Sequence, residues 1–132
     1  MADAEPLIAL CPSTQLVDGG VGLRFDVLVD GETLGAFAVR HRGRAVAYLN
    51  RCAHVAMELD WVAGRFFDGD GETLLCATHG AAYDPADGRC LGGPCAGRGG
   101  LRPLQVVEQD GVVYWRPEPA VRPRAEAAGA RA

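Results

Sequence analysis

The chain has 132 residues, 48% of them apolar, and a formal net charge of −4. That length suits one domain with one core, and the acidic balance argues against general nucleic-acid binding, which needs a basic footprint to replace counterions on phosphates. No apolar run approaches the roughly 20 residues that cross a bilayer, and the start MADAEPLIALCPS lacks the basic region and long apolar segment of an export signal, so no membrane association is expected.

In chain order, LRFDVLVDGETLGAFAVRH places Asp30-Gly31 at the middle of two apolar, strand-like runs, which predicts a hairpin closed by a tight turn. His41 follows in VRHRGR and reads as a surface residue. Its neighbours Arg40, Arg42 and Arg44, with Arg51 further on, read as charges scattered over a solvated face, with a basic docking patch as the alternative. Arg44 to Asn50 alternates as a strand and runs directly into Cys52. DGDGE, at Asp68 to Glu72, resembles a calcium loop but lacks the remaining ligand spacing, and it reads as a turn. Glu72 to Cys76 is a second short strand that runs into a second cysteine. LQVVEQDGVVYW predicts another hairpin, with Asp110-Gly111 at its tip. Dense glycine and proline between short runs of Val, Leu, Phe and Tyr make the whole an all-β chain. The domain is expected over residues 1–116. Residues 117–132 mix Pro, Arg, Ala and Glu with few large apolar side chains and read as a disordered tail, with a short docking helix around RAEAAGARA as the alternative. No internal repeat is found.

Two pairs carry the chemistry. Cys52 and His54 form C-x-H, and Cys76 and His79 form C-x-x-H, each on a loop at the end of a predicted strand. Buried cysteines and satisfied histidines explain two such pairs poorly. A nucleophilic Cys with a general-base His leaves one pair unused. A structural zinc site accepts two Cys and two His, although such sites usually pair Cys with Cys and His with His. Alternation within each loop suits a binuclear centre, in which each loop gives its Cys to one metal and its His to the other. Five cysteines without an export signal also point to a reducing, cytoplasmic compartment, where Cys and His more often hold a metal than form disulfides. Cys90 and Cys95, flanking LGGP, accordingly read as two reduced thiols, with a local disulfide or a tuning role as alternatives. Cys11 reads as a plain thiol.

From about Leu23 to Trp115 the chain resembles the Rieske iron-sulfur family, through CAH, CATHGAAYD and the later GRCLGGP in order. The resemblance implies a small sandwich of antiparallel sheets with two hairpin loops binding a 2Fe-2S cluster. It assigns Cys52 and Cys76 to the inner iron and His54 and His79 to the outer, more exposed iron. Gly80, after the second His, belongs to the motif, and Gly93-Pro94 resembles a third loop that covers the cluster and restricts water.

With two thiolates rather than four the oxidised core is neutral instead of doubly negative. It therefore accepts an electron more readily, within roughly −150 to +300 mV for such centres. Protonation of the outer nitrogen of each ligand His is expected to make the potential fall as pH rises. In the Rieske proteins of respiratory cytochrome bc complexes a Ser and a Tyr after the second His donate to cluster sulfurs. Here Ala81 stands at the Ser position and Tyr83 is retained, with a plain core aromatic as the alternative reading of Tyr83. The positions of the disulfide that joins the two loops in those proteins hold Met57 and Thr78, which cannot form it.

These departures move the reading to a soluble Rieske-type ferredoxin, a one-electron carrier and not itself an enzyme. Its expected partners are a reductase and a terminal oxygenase. A small Rieske-type subunit of a nitrite reductase and a zinc-stabilised binding module are the alternatives. The chain has no G-x-G-x-x-G dinucleotide fingerprint, so its electrons must come from a partner.

Overall fold

A computed structural model describes residues 6–52, 58–60, 62–77, 80–95 and 99–124. Among them the regular structure is strand with two short 3-10 turns. The strands are β1 (Ile8–Pro12), β2 (Leu23–Val29), β3 (Glu32–His41), β4 (Arg44–Leu49), β5 (Leu74–Leu75), β6 (Ala82–Tyr83), β7 (Cys90–Gly92), β8 (Pro103–Gln109), β9 (Val112–Arg116) and β10 (Arg122–Pro123). They build a seven-stranded sheet in the order β1-β9-β8-β4-β3-β2-β10 and a three-stranded sheet in the order β5-β6-β7, with antiparallel pairing throughout. The all-β expectation is met. No helix among the described residues is long and apolar enough to cross a membrane.

The two predicted hairpins form at their predicted tips. Asp30 and Gly31 have φ of 53° and 79°, and Asp110 and Gly111 have 52° and 76°. Two consecutive positive values match the right-handed twist of the flanking strands, and the Asp-Gly pair tolerates them. A third turn of the same kind joins β3 to β4 at Arg42-Gly43, with φ of 51° and 81°. It falls inside a stretch whose arginines drew attention to charge and away from the turn. DGDGE is also a turn: the Gly71 N–H donates to the Asp68 carbonyl at 3.0 Å, and the Asp70 and Glu72 N–H groups donate to the Asp68 and Asp70 carboxylates.

One core was expected, but the buried apolar side chains form two clusters, because β3 and β4 are covered on both faces. Successive residues on a strand point to opposite sides. Phe37, Val39 and Tyr48 join Leu59, Phe66, Leu74 and Tyr83 beneath the small sheet. Ala36, Ala38, Ala47 and Leu49 join Val27, Leu104, Val113 and Trp115 within the large one. Phe37 stacks on Phe66 with ring centroids 3.9 Å apart, and Phe25 lies against Trp115 at 5.6 Å.

Arg40 does not lie on a solvated face. Its guanidinium donates to the Glu108 carboxylate at 2.6 and 3.0 Å and to the carbonyls of Leu16, Ser13 and Gly43. It thereby fastens the segment after β1 to the β3–β4 and β8–β9 hairpins. These charge-assisted bonds hold the Glu108 carboxyl below its ordinary value. Arg40→Met, which leaves the carboxylate and three carbonyls without this donor, is expected to cost roughly 2–3 kcal/mol in a urea titration at neutral pH. Because the folded pKa of Glu108 is depressed, its share of that stability is complete above the ordinary Glu value of 4.5 and fades as pH falls through the folded value. The gap between parent and variant should therefore narrow in acid.

The C-terminal segment also departs from expectation. Residues up to 124 are packed: Val121 is buried, β10 pairs with β2, Arg102 meets Glu118 at 2.9 Å and Arg124 meets Asp26 at 3.0 Å. Val121 is the apolar anchor that the sparse composition concealed. The stretch proposed as a docking helix lies, from residue 125 on, outside the described residues.

Candidate metal centre

Both cysteines of the two Cys/His pairs end strands that lead into the smaller core. Cys52 follows β4 by three residues and Cys76 follows β5 directly; both are buried in the cluster that holds Phe66, Leu74, Ala81 and Tyr83. The two ends of the second loop are bonded to each other. The Gly80 N–H donates to the Cys76 carbonyl and the Cys76 N–H donates to the Ala81 carbonyl, each at 2.8 Å. Gly80 itself has φ of 77°. His54 and His79, with Met57 and Thr78, lie outside the described residues.

Tyr83, on β6, is fully buried, and its hydroxyl oxygen stands 3.1 Å from the Cys52 sulfur. It is thus directed across the site, from the strand after the second loop to the cysteine of the first. With Cys52 as a thiolate the hydroxyl is the donor, because a thiolate only accepts. Ala81 is buried alongside and brings no hydroxyl.

The Gly93-Pro94 stretch lies against the second loop. Gly93, Pro94 and Cys95 form a 3-10 turn after β7. Gly93 has φ of 85°, and a Cβ there would stand 2.8 Å from the Gly80 carbonyl oxygen. Only glycine allows this backbone to lie so close to the second loop.

Cys90 and Cys95 are joined in a disulfide, their Cα atoms 5.9 Å apart, which corrects the expectation of two reduced thiols. The turn through Gly92-Gly93-Pro94 reverses the chain and brings Cys95 within the span such a bond requires. The compartment argument carried no information about this local geometry. Closing so short a loop restricts the unfolded chain by about 2 kcal/mol. Cys90→Ala together with Cys95→Ala, or reduction of the parent, is accordingly expected to lower the melting temperature by roughly 5–10 °C in a calorimetric scan.

The remaining candidates are not part of this site. Cys11 is buried in the other cluster, where desolvation pushes its thiol pKa up despite the nearby Arg40. His41 is partly covered rather than at the surface, its ring stacked on Phe67 and 4.0 Å from Glu72. Of the arginines, Arg40 is turned to Glu108 and Arg42 pairs with Glu72 at 3.3 Å, while Arg44 is exposed and lines the same cleft as Arg42.

A model described as the Rieske [2Fe-2S] domain matches residues 7–110. The chain belongs to this family. The Rieske fold is also the one seen in similar solved structures. The ferredoxin of carbazole 1,9a-dioxygenase from Nocardioides aromaticivorans IC177 superposes with a TM-score of 0.67 at 24% identity, covering 86% of this chain and 100% of that one. The Sphingomonas yanoikuyae B1 ferredoxin gives 0.65 at 21%, with 86% and 100% covered. A complex of reduced oxygenase and oxidised ferredoxin in carbazole 1,9a-dioxygenase gives 0.64 at 21%, with 83% and 92% covered. No curated protein matches the chain in sequence.

The Rieske family binds a [2Fe-2S] cluster, and the described residues fit one. Two sulfur donors come from two strand ends into one dry cluster of side chains, a tyrosine hydroxyl is aimed at the first, and a glycine-proline turn lies against the loop of the second.

Asn50, Asp60 and Arg24 are part of the surroundings of this site that the sequence reading did not single out. Asn50 and Asp60 are the buried polar residues at the two ends of the first loop. Their signal was faint: an amide directly after an apolar strand, two residues before Cys52.

Proposed function

We propose that this chain is a one-electron carrier that accepts electrons from a reductase and delivers them to a terminal oxygenase, with Cys52 and Cys76 on one iron and His54 and His79 on the other. When bound, a [2Fe-2S] cluster supplies a couple that gains and loses one electron. The chain's own residues do the rest. Cys52 and Cys76 provide buried thiolates, Tyr83 offers a hydrogen bond that favours the more negative state at the Cys52 sulfur, and the Gly93-Pro94 turn limits water at the second loop. The reading rests above all on the Tyr83–Cys52 contact, which sets a polar donor against a candidate ligand inside an otherwise apolar cluster. The named neighbours support the carrier role: two are ferredoxins, and a third structure holds a ferredoxin with an oxygenase.

The compartment we propose is the cytoplasm, on the cysteine usage read above. The Cys90–Cys95 bond weighs against it, and thiol trapping in intact cells decides by showing whether those two residues are reduced there.

The experiment that tests the function is metal and sulfide analysis of anaerobically prepared protein, with an electron paramagnetic spectrum after dithionite reduction. Two irons and two sulfides per chain, with the low average g value of mixed Cys/His ligation, support the reading. Zinc alone, with no signal after iron reconstitution, overturns it.

A further inference from the structure

The chain leaves β4 for the first Cys/His loop at Asn50, a polar side chain only 3% exposed. Its carboxamide is used from both ends. The oxygen accepts from the Leu59 N–H at 2.8 Å, and the nitrogen donates to an oxygen of Asp60 at 2.9 Å. Asp60, whose side chain has no exposed surface, accepts from the Gly64 N–H at 2.9 Å through its other oxygen, which also lies 3.3 Å from Nε of Arg24. Arg24 in turn holds Glu58 at 2.8 Å. A single amide therefore closes the stem of the first loop, joining the residue before it to the residue after it.

Leu59 carries the connection further. Its N–H is held by Asn50, and its carbonyl accepts from the N–H of Ala77, the residue after Cys76, at 3.0 Å. Cys52 lies two residues beyond Asn50, so a path of two hydrogen bonds, continued by a short stretch of backbone at each end, runs from one cysteine to the other without passing through any metal. Water cannot easily replace a lost link there, because Leu59 is fully buried and Asp60 nearly so.

We propose that Asn50 is a positioning residue for the cluster, fixing the stem that carries Cys52 against the loop that carries Cys76. This rests on the Rieske reading of the four ligands. The network sets the spacing of the two thiolates before metal arrives, and its loss lets the stem open so that iron leaves more easily.

The test compares the parent with Asn50→Ala, and with the reciprocal pair Asn50→Asp and Asp60→Asn, which exchanges amide and carboxylate and so restores a donor facing an acceptor. Two rates are read on the protein as purified: amide exchange of Ala77 by NMR or mass spectrometry, and loss of visible absorbance to a ferrous chelator. Asn50→Ala should raise both by about tenfold, leaving amide exchange in the β8–β9 hairpin unchanged, and the reciprocal pair should return both towards the parent. Faster Ala77 exchange with iron release at the parental rate would reduce Asn50 to a structural role and overturn the proposal, as would no change in either rate. Should Asn50→Ala fail to fold, Asp60→Asn carries the same test, since one amide cannot accept from both Asn50 and Gly64. Protein that purifies with zinc and takes up no iron would overturn the Rieske reading, and the proposal with it, while Ala77 exchange would still report whether the hydrogen-bond path exists.

Discussion

Cys52→Ala, Cys76→Ala, His54→Ala and His79→Ala should each yield folded protein that retains at least about tenfold less iron than the parent, the lower bound being set by what loss of mere supporting residues does at metal sites. The expectation rests on how the two thiolates are housed. Both sulfurs are enclosed in a cluster of apolar side chains, so the positive charge that bridging sulfides leave on two ferric ions there would be compensated by the protein's own thiolates or not at all. Cys11→Ala is the internal control. That cysteine is also buried, but in the other cluster of side chains, and its removal should change stability without changing iron content. The measurement is iron and sulfide per chain, alongside far-UV circular dichroism to establish folding. A histidine variant with an unchanged reduced-state spectrum would show that the ligand set is wrong.

Tyr83→Phe should bind the cluster normally and lower its reduction potential by about 40–90 mV, the one-electron equivalent of roughly 1–2 kcal/mol of hydrogen bonding. The reduced state carries more negative charge on its sulfurs, and the Tyr83 hydroxyl, 3.1 Å from the Cys52 sulfur, favours it. The ring is fully buried, so water is poorly placed to substitute for the missing hydroxyl. Ala81→Ser offers the converse, since a hydroxyl at that buried position would add a donor and raise the potential. A redox titration followed by visible circular dichroism reads both. An unchanged potential in Tyr83→Phe would make the tyrosine a core aromatic with an incidental contact.

Much of this was legible in the residues, for identifiable reasons. Asp-Gly turns and alternating apolar runs are local signals, and both hairpins built on them stand where they were expected. Cys52, Cys76 and Tyr83, which the fold buries in one cluster, stood out in the sequence because they belong to a spaced motif. What escaped depended on partners distant in sequence. Arg40 read as one charge among several because nothing in VRHRGR announces Glu108, which lies 68 positions on. Asn50 and Asp60 look like ordinary loop polars until the fold buries them against each other. Val121 was hidden by the composition around it, and the Cys90–Cys95 bond by an argument from compartment rather than from the reversal at Gly92-Gly93-Pro94. His54 and His79 lie outside the described residues, and their roles stay with the ligand experiments above.

The large sheet has a property that follows from where the smaller one is attached. Strands β4 and β8 are neighbours, with Ala47 opposite Leu104 and Tyr48 opposite Pro103, and the Leu49 N–H donates to the Arg102 carbonyl at 3.0 Å. Everything that holds the candidate ligands is therefore an insertion whose two ends meet. Lengthening or shortening it changes no pairing in the seven-stranded sheet, so the redox module can vary in size and chemistry while its platform keeps its register. The limit on that freedom is the outer face of β3 and β4, where Phe37, Val39 and Tyr48 must always find a lid.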